Sequence, residues 1–282
     1  MNGETIQSAL RQAAADSANQ SKTPELDAQV LLANVLGREK SWLLAHLDEK
    51  LSSKEQEKWE AALGTFRKGV PLPYVLGEWE FYGLQLKVTP AVLIPRPETE
   101  LLVETGLTWL KTNPSRRRGL DVGTGSGCIS IALASNVRDL EMVATDISAE
   151  ALDVAKFNVQ KHGQTSRIRL VQTDLSDGIQ ESFDLICGNL PYIPNERLPK
   201  LEVFKWEPQV ALGGGPDGLQ FIKPFLQQAS AKLIPQGLVL AEIDAELEHQ
   251  AKELAKSIWP EARIEIRKDL AGLPRLLVVE TI

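Results

Sequence analysis

The stretch that most limits the architecture is Gly119-Leu120-Asp121-Val122-Gly123-Thr124-Gly125-Ser126-Gly127, where a short apolar run breaks into alternating glycines. Small and apolar residues at helical length follow it. A strand-length run that enters a glycine-rich turn and then a helix opens a β-α unit, and a chain of such units builds a parallel sheet covered on both faces. Glycines at alternate positions let the backbone approach a ligand, and a helix start offers N–H groups without intrahelical partners. The loop therefore reads as a cofactor cradle. The dinucleotide fingerprint needs its third glycine where this chain has Cys128, which weakens that reading. Taken alone, the loop could equally be a tight turn.

Two further strand ends decide what such a cradle holds. About 20 residues on, the run Glu141-Met142-Val143-Ala144-Thr145 ends at Asp146, a carboxylate placed to accept both hydroxyls of a ribose. A third run, Ile168-Arg169-Leu170-Val171-Gln172, ends near Asp174-Leu175, with Asp174 placed to read the exocyclic amine of an adenine. Singly, either aspartate could be only the cap of the next helix. In this order on successive strands they outline an adenosine site without a pyrophosphate. That pattern resembles the S-adenosylmethionine site of class I methyltransferases. The resemblance implies S-adenosyl-L-methionine as cofactor, bound by Gly123, Thr124, Gly125, Ser126, Gly127, Asp146, Asp174, Leu175 and Asn189.

The acceptor is addressed by a fourth run, Phe183-Asp184-Leu185-Ile186-Cys187, which leads into Gly188-Asn189-Leu190-Pro191-Tyr192-Ile193. A carboxamide, a proline and an aromatic ring at the end of a buried strand make a small polar pocket for a planar group bearing an NH2. Beside a methyl donor, that pocket implies methylation of nitrogen. Without the upstream pattern the tetrapeptide could be a plain turn with Tyr192 as a core cover.

The rest of the chain fixes the domain plan. The cluster Val70-Pro71-Leu72-Pro73 ends a helical region, residues 1–73, in which apolar residues recur at helical spacing in Ile6–Leu10, Leu26–Leu32, Trp42–Leu44 and Trp59–Leu63, with Thr23, Ser41 and Ser52 as candidate caps. Residues 74–90 alternate around Gly83 and read as a β-hairpin connector. Residues 91–282 form the catalytic domain. It begins with the extended segment Leu93-Ile94-Pro95-Arg96-Pro97 and a helix from Glu98 to about Leu110. Arg116, Arg117 and Arg118 read as a solvated linker rather than a phosphate site. The runs Leu238–Glu242, Arg263–Ile266 and Arg275–Val279 are later strands, and the last two are too close for a crossover helix, so they pair antiparallel.

Composition excludes several classes. The 282 residues carry a formal net charge of −7, against the basic excess of a dedicated nucleic-acid binder. No signal pattern and no bilayer-length apolar run is present, so a cytoplasmic location without membrane contact is expected. Cys128 and Cys187 lie in apolar runs and read as packing residues of a reducing compartment. His46, His162 and His249 lack metal-type spacing, so no metal site is assigned.

The segment Leu93–Glu100, the glycine loop, Asn189-Leu190-Pro191-Tyr192, Glu207-Pro208-Gln209-Val210-Ala211-Leu212, the Gly214–Leu219 turn and the closing Lys268–Arg275 together resemble the peptide-chain release factor glutamine methyltransferases (the PrmC/HemK family) over nearly the whole chain. The resemblance implies a doubly wound, mostly parallel seven-stranded α/β sheet of class I methyltransferase type with an antiparallel last strand. A small N-terminal helical bundle would recognise the substrate. It also implies transfer of a methyl group to the side-chain amide nitrogen (N5) of the glutamine in the Gly-Gly-Gln loop of class 1 release factors. Asn189, Leu190, Pro191 and Tyr192 would hold that glutamine, in a monomer with no direct nucleic-acid partner. The family's tetrapeptide is Asn-Pro-Pro-Tyr, and Leu190 departs from it. Asn-Leu-Pro-Tyr as spelled here also resembles adenine-N6 methyltransferases acting on RNA. Ribosomal-protein glutamine methylation and a non-catalytic cofactor-binding adapter stand as further alternatives.

Overall fold

The structure, a computed structural model, describes residues 4–18 and 21–282; residues 1–3 and 19–20 of the expected bundle lie outside them. Two compact units make up the chain, residues 1–77 and 78–282.

The first unit consists of α1 (Ile6–Ser17), α2 (Pro24–Leu36), α3 (Lys40–Ala45), α4 (Ser53–Arg67) and α5 (Leu72–Leu76). The four apolar repeats of the sequence lie in α1 to α4. Ser52 caps α4 in a reciprocal box with Glu55, whose carboxylate accepts from the Ser52 backbone N–H at 2.8 Å. The other two expected caps differ. Thr23 precedes α2 without a capping hydrogen bond, Pro24 at the first turn serving instead, and Ser41 lies inside α3. Ile6, Leu31, Leu32, Leu43, Trp59 and Leu63 are almost fully enclosed and form one core, each contributing about 1.5–3 kcal/mol of burial. Residues 74–76, read as the start of the hairpin, are helical, because Pro71 and Pro73 suit a first helical turn and too few residues follow to build a strand.

The second unit opens with a hairpin of β1 (Glu78–Phe81) and β2 (Leu84–Lys87). Tyr82 and Gly83 at its tip both have positive φ, 51° and 72°, as a type I′ turn demands. A tyrosine there is strained, and its N–H is held by Glu100 Oε1 at 2.8 Å. Phe81 and Leu86 are buried in the core of the second unit, and Asn158 brackets Lys87 through both its backbone groups.

After a short 3-10 turn at Pro97–Thr99 and α6 (Glu100–Thr112), strands and helices alternate: β3 (Arg118–Val122), α7 (Cys128–Asn136), β4 (Glu141–Asp146), α8 (Ala149–Lys161), β5 (Ile168–Gln172), β6 (Phe183–Gly188), α9 (Ile222–Lys232), β7 (Leu233–Glu242), α10 (Glu248–Ile258), β8 (Arg263–Lys268) and β9 (Pro274–Glu280). The sheet order is β5-β4-β3-β6-β7-β9-β8, all parallel except β9, which is antiparallel to both neighbours. Successive strand residues feed opposite cores. Leu185, Cys187, Leu238 and Leu240 meet α6 and α7 on one face, and Leu120, Val122, Ile186 and Val239 meet α9 and α10 on the other. The connection after β5 turns back past β3, so the strand order reverses between β3 and β6. Ligands of such sheets bind beyond the strand ends at that reversal. This is the class I methyltransferase arrangement.

The arginine run is tied down rather than merely solvated. Asp184, at the start of β6, accepts from the backbone N–H of Arg117 and of Arg118 at 2.9 Å each and from Arg116 Nη1 at 3.3 Å, and Arg117 Nε reaches Asp139 at 2.6 Å. The run sits at the opposite strand ends from the reversal. Among the described residues no helix is long and apolar enough to cross a membrane.

Candidate active site

Register brings the candidate residues together. Val122 pairs with Gly188 on one side and Thr145 on the other, so Gly123, Asp146 and Asn189 leave three adjacent strand ends side by side. The cavity above them is lined by Gly123, Thr124, Gly125, Ser126, Asp146, Asp174, Leu175, Asn189, Leu190 and Pro191. Its wall also includes Val92, Ile147 and Ser148, and Arg96, Thr99 and Pro208 from the two motif segments that sequence reasoning had quoted without assigning them to the site.

The glycine loop is shaped by Asp146. Asp146 Oδ2 accepts from the Gly125 N–H at 2.8 Å and Oδ1 from the Ser148 N–H at 2.9 Å, while Ser148 itself caps α8. Cradle and acid are therefore one hydrogen-bonded unit, and burial pushes the Asp146 carboxyl up despite those bonds. Gly125 has φ 56°, and a Cβ there would meet nothing within 4 Å, so the space beside its Cα is open while its N–H is held by Asp146. Gly127 differs, since its Cβ would meet Ile131 and Ala155, so its role is close packing of α7. Leu190 has a packing role as well. Its Cδ2 lies 2.9 Å from where a Cβ on Gly123 would stand, so the side chain that replaces the expected proline closes over the loop.

Beneath the loop Asp121 is wholly buried. Its Oδ2 accepts from Thr124 Oγ1 at 2.7 Å and Ser130 Oγ at 2.8 Å, while Oδ1, like the Ser126 hydroxyl on the cavity wall, has no partner among the described residues. Burial pushes this carboxyl up from 3.8 to about 6, opposed by the Thr124 and Ser130 hydrogen bonds. A folded-state value above the unfolded one favours the native protein below pH 4 and costs it stability as pH rises toward 6. We expect the stability difference between wild type and Asp121→Asn, read from urea unfolding, to move against the wild type by about 3 kcal/mol across that window and stay level above it. A flat difference from pH 4 to 7 would contradict the assignment.

Asn189 and Tyr192 part company. Asn189 faces the cavity, and its Nδ2 donates to Thr99 Oγ1 at 3.0 Å. Tyr192 is not among the cavity-lining residues. Its hydroxyl donates to Glu242 Oε1 at 2.9 Å, and burial followed by the Glu242 charge pushes the phenol far up, so it stays neutral. The loop between them is braced by Ile193, whose N–H donates to Leu212 O at 3.1 Å and whose carbonyl accepts from the Gly214 N–H at 2.8 Å. A Cβ on Gly214 would stand 2.6 Å from Tyr192 Cα and 2.9 Å from Pro191 O. Gly214→Ala is therefore expected to displace the tetrapeptide and to destabilise the fold by roughly 1–3 kcal/mol, visible as a lower urea midpoint.

One more bond spans the cavity wall. Arg96 Nη2 lies 2.7 Å from both oxygens of Glu207, whose side chain is fully enclosed. Among the described residues the cavity's one lining cation is thus already paired, and the acids at Asp146 and Asp174 leave a negative site. Cys128 and Cys187 are free and buried; burial pushes the Cys128 thiol up to about 12 and the Cys187 thiol well above its ordinary value, so neither is a nucleophile.

Known proteins can be set beside this geometry. The model of the PrmC N-terminal domain matches residues 8–77, and that of the methyltransferase small domain matches residues 97–200. The release factor glutamine methyltransferase of Rhodopirellula baltica is 35% identical over 267 residues, covering 92% of this chain and 90% of its own. That of Coxiella burnetii is 38% identical over 264 residues, covering 92% of each. Among solved structures, the hMettl16 catalytic domain in complex with an RNA hairpin superposes with a TM-score of 0.56 at 18% identity, over 71% of this chain and 77% of that one. The T. thermophilus 16S rRNA N2 G1207 methyltransferase in complex with AdoMet and guanosine gives 0.53 at 17%, over 73% and 50%. Those two likenesses establish the fold. Matches through both units at more than a third identity establish descent, and the chain belongs to the release factor glutamine methyltransferase family.

Proposed function

We propose that the protein transfers a methyl group from S-adenosyl-L-methionine to the side-chain amide nitrogen (N5) of the glutamine in the Gly-Gly-Gln loop of class 1 peptide-chain release factors. The observation that carries this is the Asn189 carboxamide on the same cavity wall as the glycine loop, in a chain whose relatives are named for that reaction.

The cavity suits the cofactor. An unpartnered Ser126 hydroxyl, the open space at Gly125 and the apolar walls of Val92, Ile147 and Leu175 match a ligand with polar ends and a flat apolar middle. A negative site whose lining arginine is already paired favours a cationic ligand over a diphosphate. Asp146 would hold the ribose hydroxyls and Asp174 the adenine amine. When bound, S-adenosylmethionine supplies a methyl group activated by a sulfonium charge.

The protein's task is to prepare the nitrogen. An amide lone pair is delocalised into its carbonyl, so reaction requires the nitrogen to lose planarity. Asn189 Oδ1 and the Leu190 carbonyl would accept its two N–H bonds and favour that geometry, contributing by orientation and fixed dipoles. No strong base is needed first. The methylated nitrogen is acidic and gives its proton to water. The helical unit would grip the release factor.

The test is incubation with labelled methyl donor and three acceptors: a release factor, the same factor with its loop glutamine replaced, and unstructured RNA. Label on the first alone is expected. Label on RNA alone would overturn the assignment in favour of an adenine methyltransferase.

A further inference from the structure

Behind the cavity, four side chains from three separate segments join in one hydrogen-bonded chain. Tyr192 Oη donates to Glu242 Oε1 at 2.9 Å, Thr99 Oγ1 donates to Glu242 Oε2 at 2.7 Å, and Asn189 Nδ2 donates to Thr99 Oγ1 at 3.0 Å. Thr99 and Glu242 are each 2% exposed, so water does not compete for these bonds. Glu242 ends β7 and does not line the cavity.

With Glu242 ionised, the order of donors in this chain is fixed. A carboxylate only accepts, and a threonine hydroxyl has one proton. Once that proton points at Glu242, Thr99 offers Asn189 nothing but lone pairs. Asn189 must turn its NH2 toward Thr99, which leaves Oδ1 as its remaining polar atom. That oxygen is neither hydrogen-bonded nor buried among the described residues, and the residue faces the cavity. The two flips of an asparagine amide have nearly the same shape, so packing alone does not choose between them. The hydrogen-bond chain does. Burial pushes the Glu242 carboxyl up, opposed by the Thr99 and Tyr192 hydroxyls and by Arg275, which is itself held by Asp269. Both carboxyl oxygens nevertheless meet a hydroxyl donor, the partners that an ionised, acceptor-only Glu242 requires.

Building on the function proposed above, we infer that Thr99 and Glu242 are positioning residues that fix the hydrogen-bond polarity of Asn189. The site then presents an acceptor to the incoming side chain, and it selects a carboxamide NH2 over a carboxylate of the same shape. A reversed Asn189 would present its NH2 and prefer the carboxylate. Glutamine is thereby distinguished from glutamate by a proton whose direction is set two residues away from the substrate.

The experiment compares binding, in the presence of S-adenosylhomocysteine, of a release factor and of the same factor with its loop glutamine replaced by glutamate. Wild type is expected to prefer glutamine by more than about tenfold. Thr99→Val, which keeps the shape and removes the hydroxyl, is expected to cut that preference about tenfold and to lower kcat without changing KM for the methyl donor. Thr99→Ser is expected to restore the preference to within about threefold of wild type. Thr99→Ala carries the same expectation as the valine variant and serves if that protein does not fold. An unchanged glutamine-to-glutamate ratio in the hydroxyl-free variant, a serine variant that fails to restore it, or a wild type without preference would overturn the inference. A wild type that methylates the glutamine factor but shows any of these results leaves the proposed function standing; a wild type that does not methylate it removes the function itself.

Discussion

Replacing Asn189 by alanine is expected to lower kcat for methyl transfer to release factor about 100- to 1,000-fold, the loss seen when a fixed polar group at a reacting atom is removed. The substitution should leave affinity for S-adenosylmethionine within about threefold. In the proposed assignment cofactor affinity would rest chiefly on the glycine loop and the Asp146 carboxylate, which are hydrogen-bonded to each other, and less on Asn189. The fold should tolerate the change, because among the described residues Asn189 makes its side-chain bond only to Thr99 and the tetrapeptide is braced from Ile193 onward. Single-turnover transfer assays with calorimetric titration of the cofactor read the two quantities separately. Near-normal turnover in the alanine protein would sink the proposed role of Asn189.

Asp146→Ala should produce the complementary signature. Its two oxygens hold the Gly125 and Ser148 N–H groups, so truncation removes the proposed ribose acceptor and also frees the glycine loop and the approach to α8. Hydrogen bonds to a charged group contribute about 1.5–3 kcal/mol each, and losing one such interaction with the cofactor weakens binding roughly 10- to 100-fold. The result expected is a raised Kd for S-adenosylmethionine, with turnover at saturating cofactor falling much less. A protein that binds cofactor normally would reassign Asp146 to a purely structural turn. The two variants together separate donor binding from acceptor positioning: one changes affinity, the other rate.

How far the sequence led depended on whether an interaction is local. The glycine loop, Asp146 and Asp174 each follow an apolar run directly, so strand periodicity alone placed them at strand ends, and parallel pairing then set them side by side. The antiparallel partnership of β8 and β9 followed from the short link between them. What stayed hidden involves partners far apart in the chain. Thr99 and Glu242 are separated by 143 positions, and nothing local marks either as a neighbour of Asn189. Arg96 and Glu207 meet across 111 positions, and the first looked like one more charge in a proline-rich segment. Asp184 sat inside an apolar run, where its capture of Arg116 and two backbone N–H groups could not be foreseen. The direction of the Tyr192 side chain was not legible for the opposite reason. It stands three residues from Asn189, yet a loop can turn neighbouring side chains to opposite sides, and here the phenol points to Glu242.

The position of β9 has a consequence for biosynthesis. β9 lies between β7 and β8, so β8 is made before the strand that joins it to the sheet. A nascent chain that has not yet delivered residues 274–280 carries β7 with an open edge of apolar residues, Leu238, Val239, Leu240 and Ala241, which is a template for pairing with another chain. The helical unit, residues 1–77, has its own core and is synthesised before any of this arises. The interval of greatest aggregation risk therefore falls late, between the emergence of β7 and that of β9, and it closes when one strand fills two vacant edges at once.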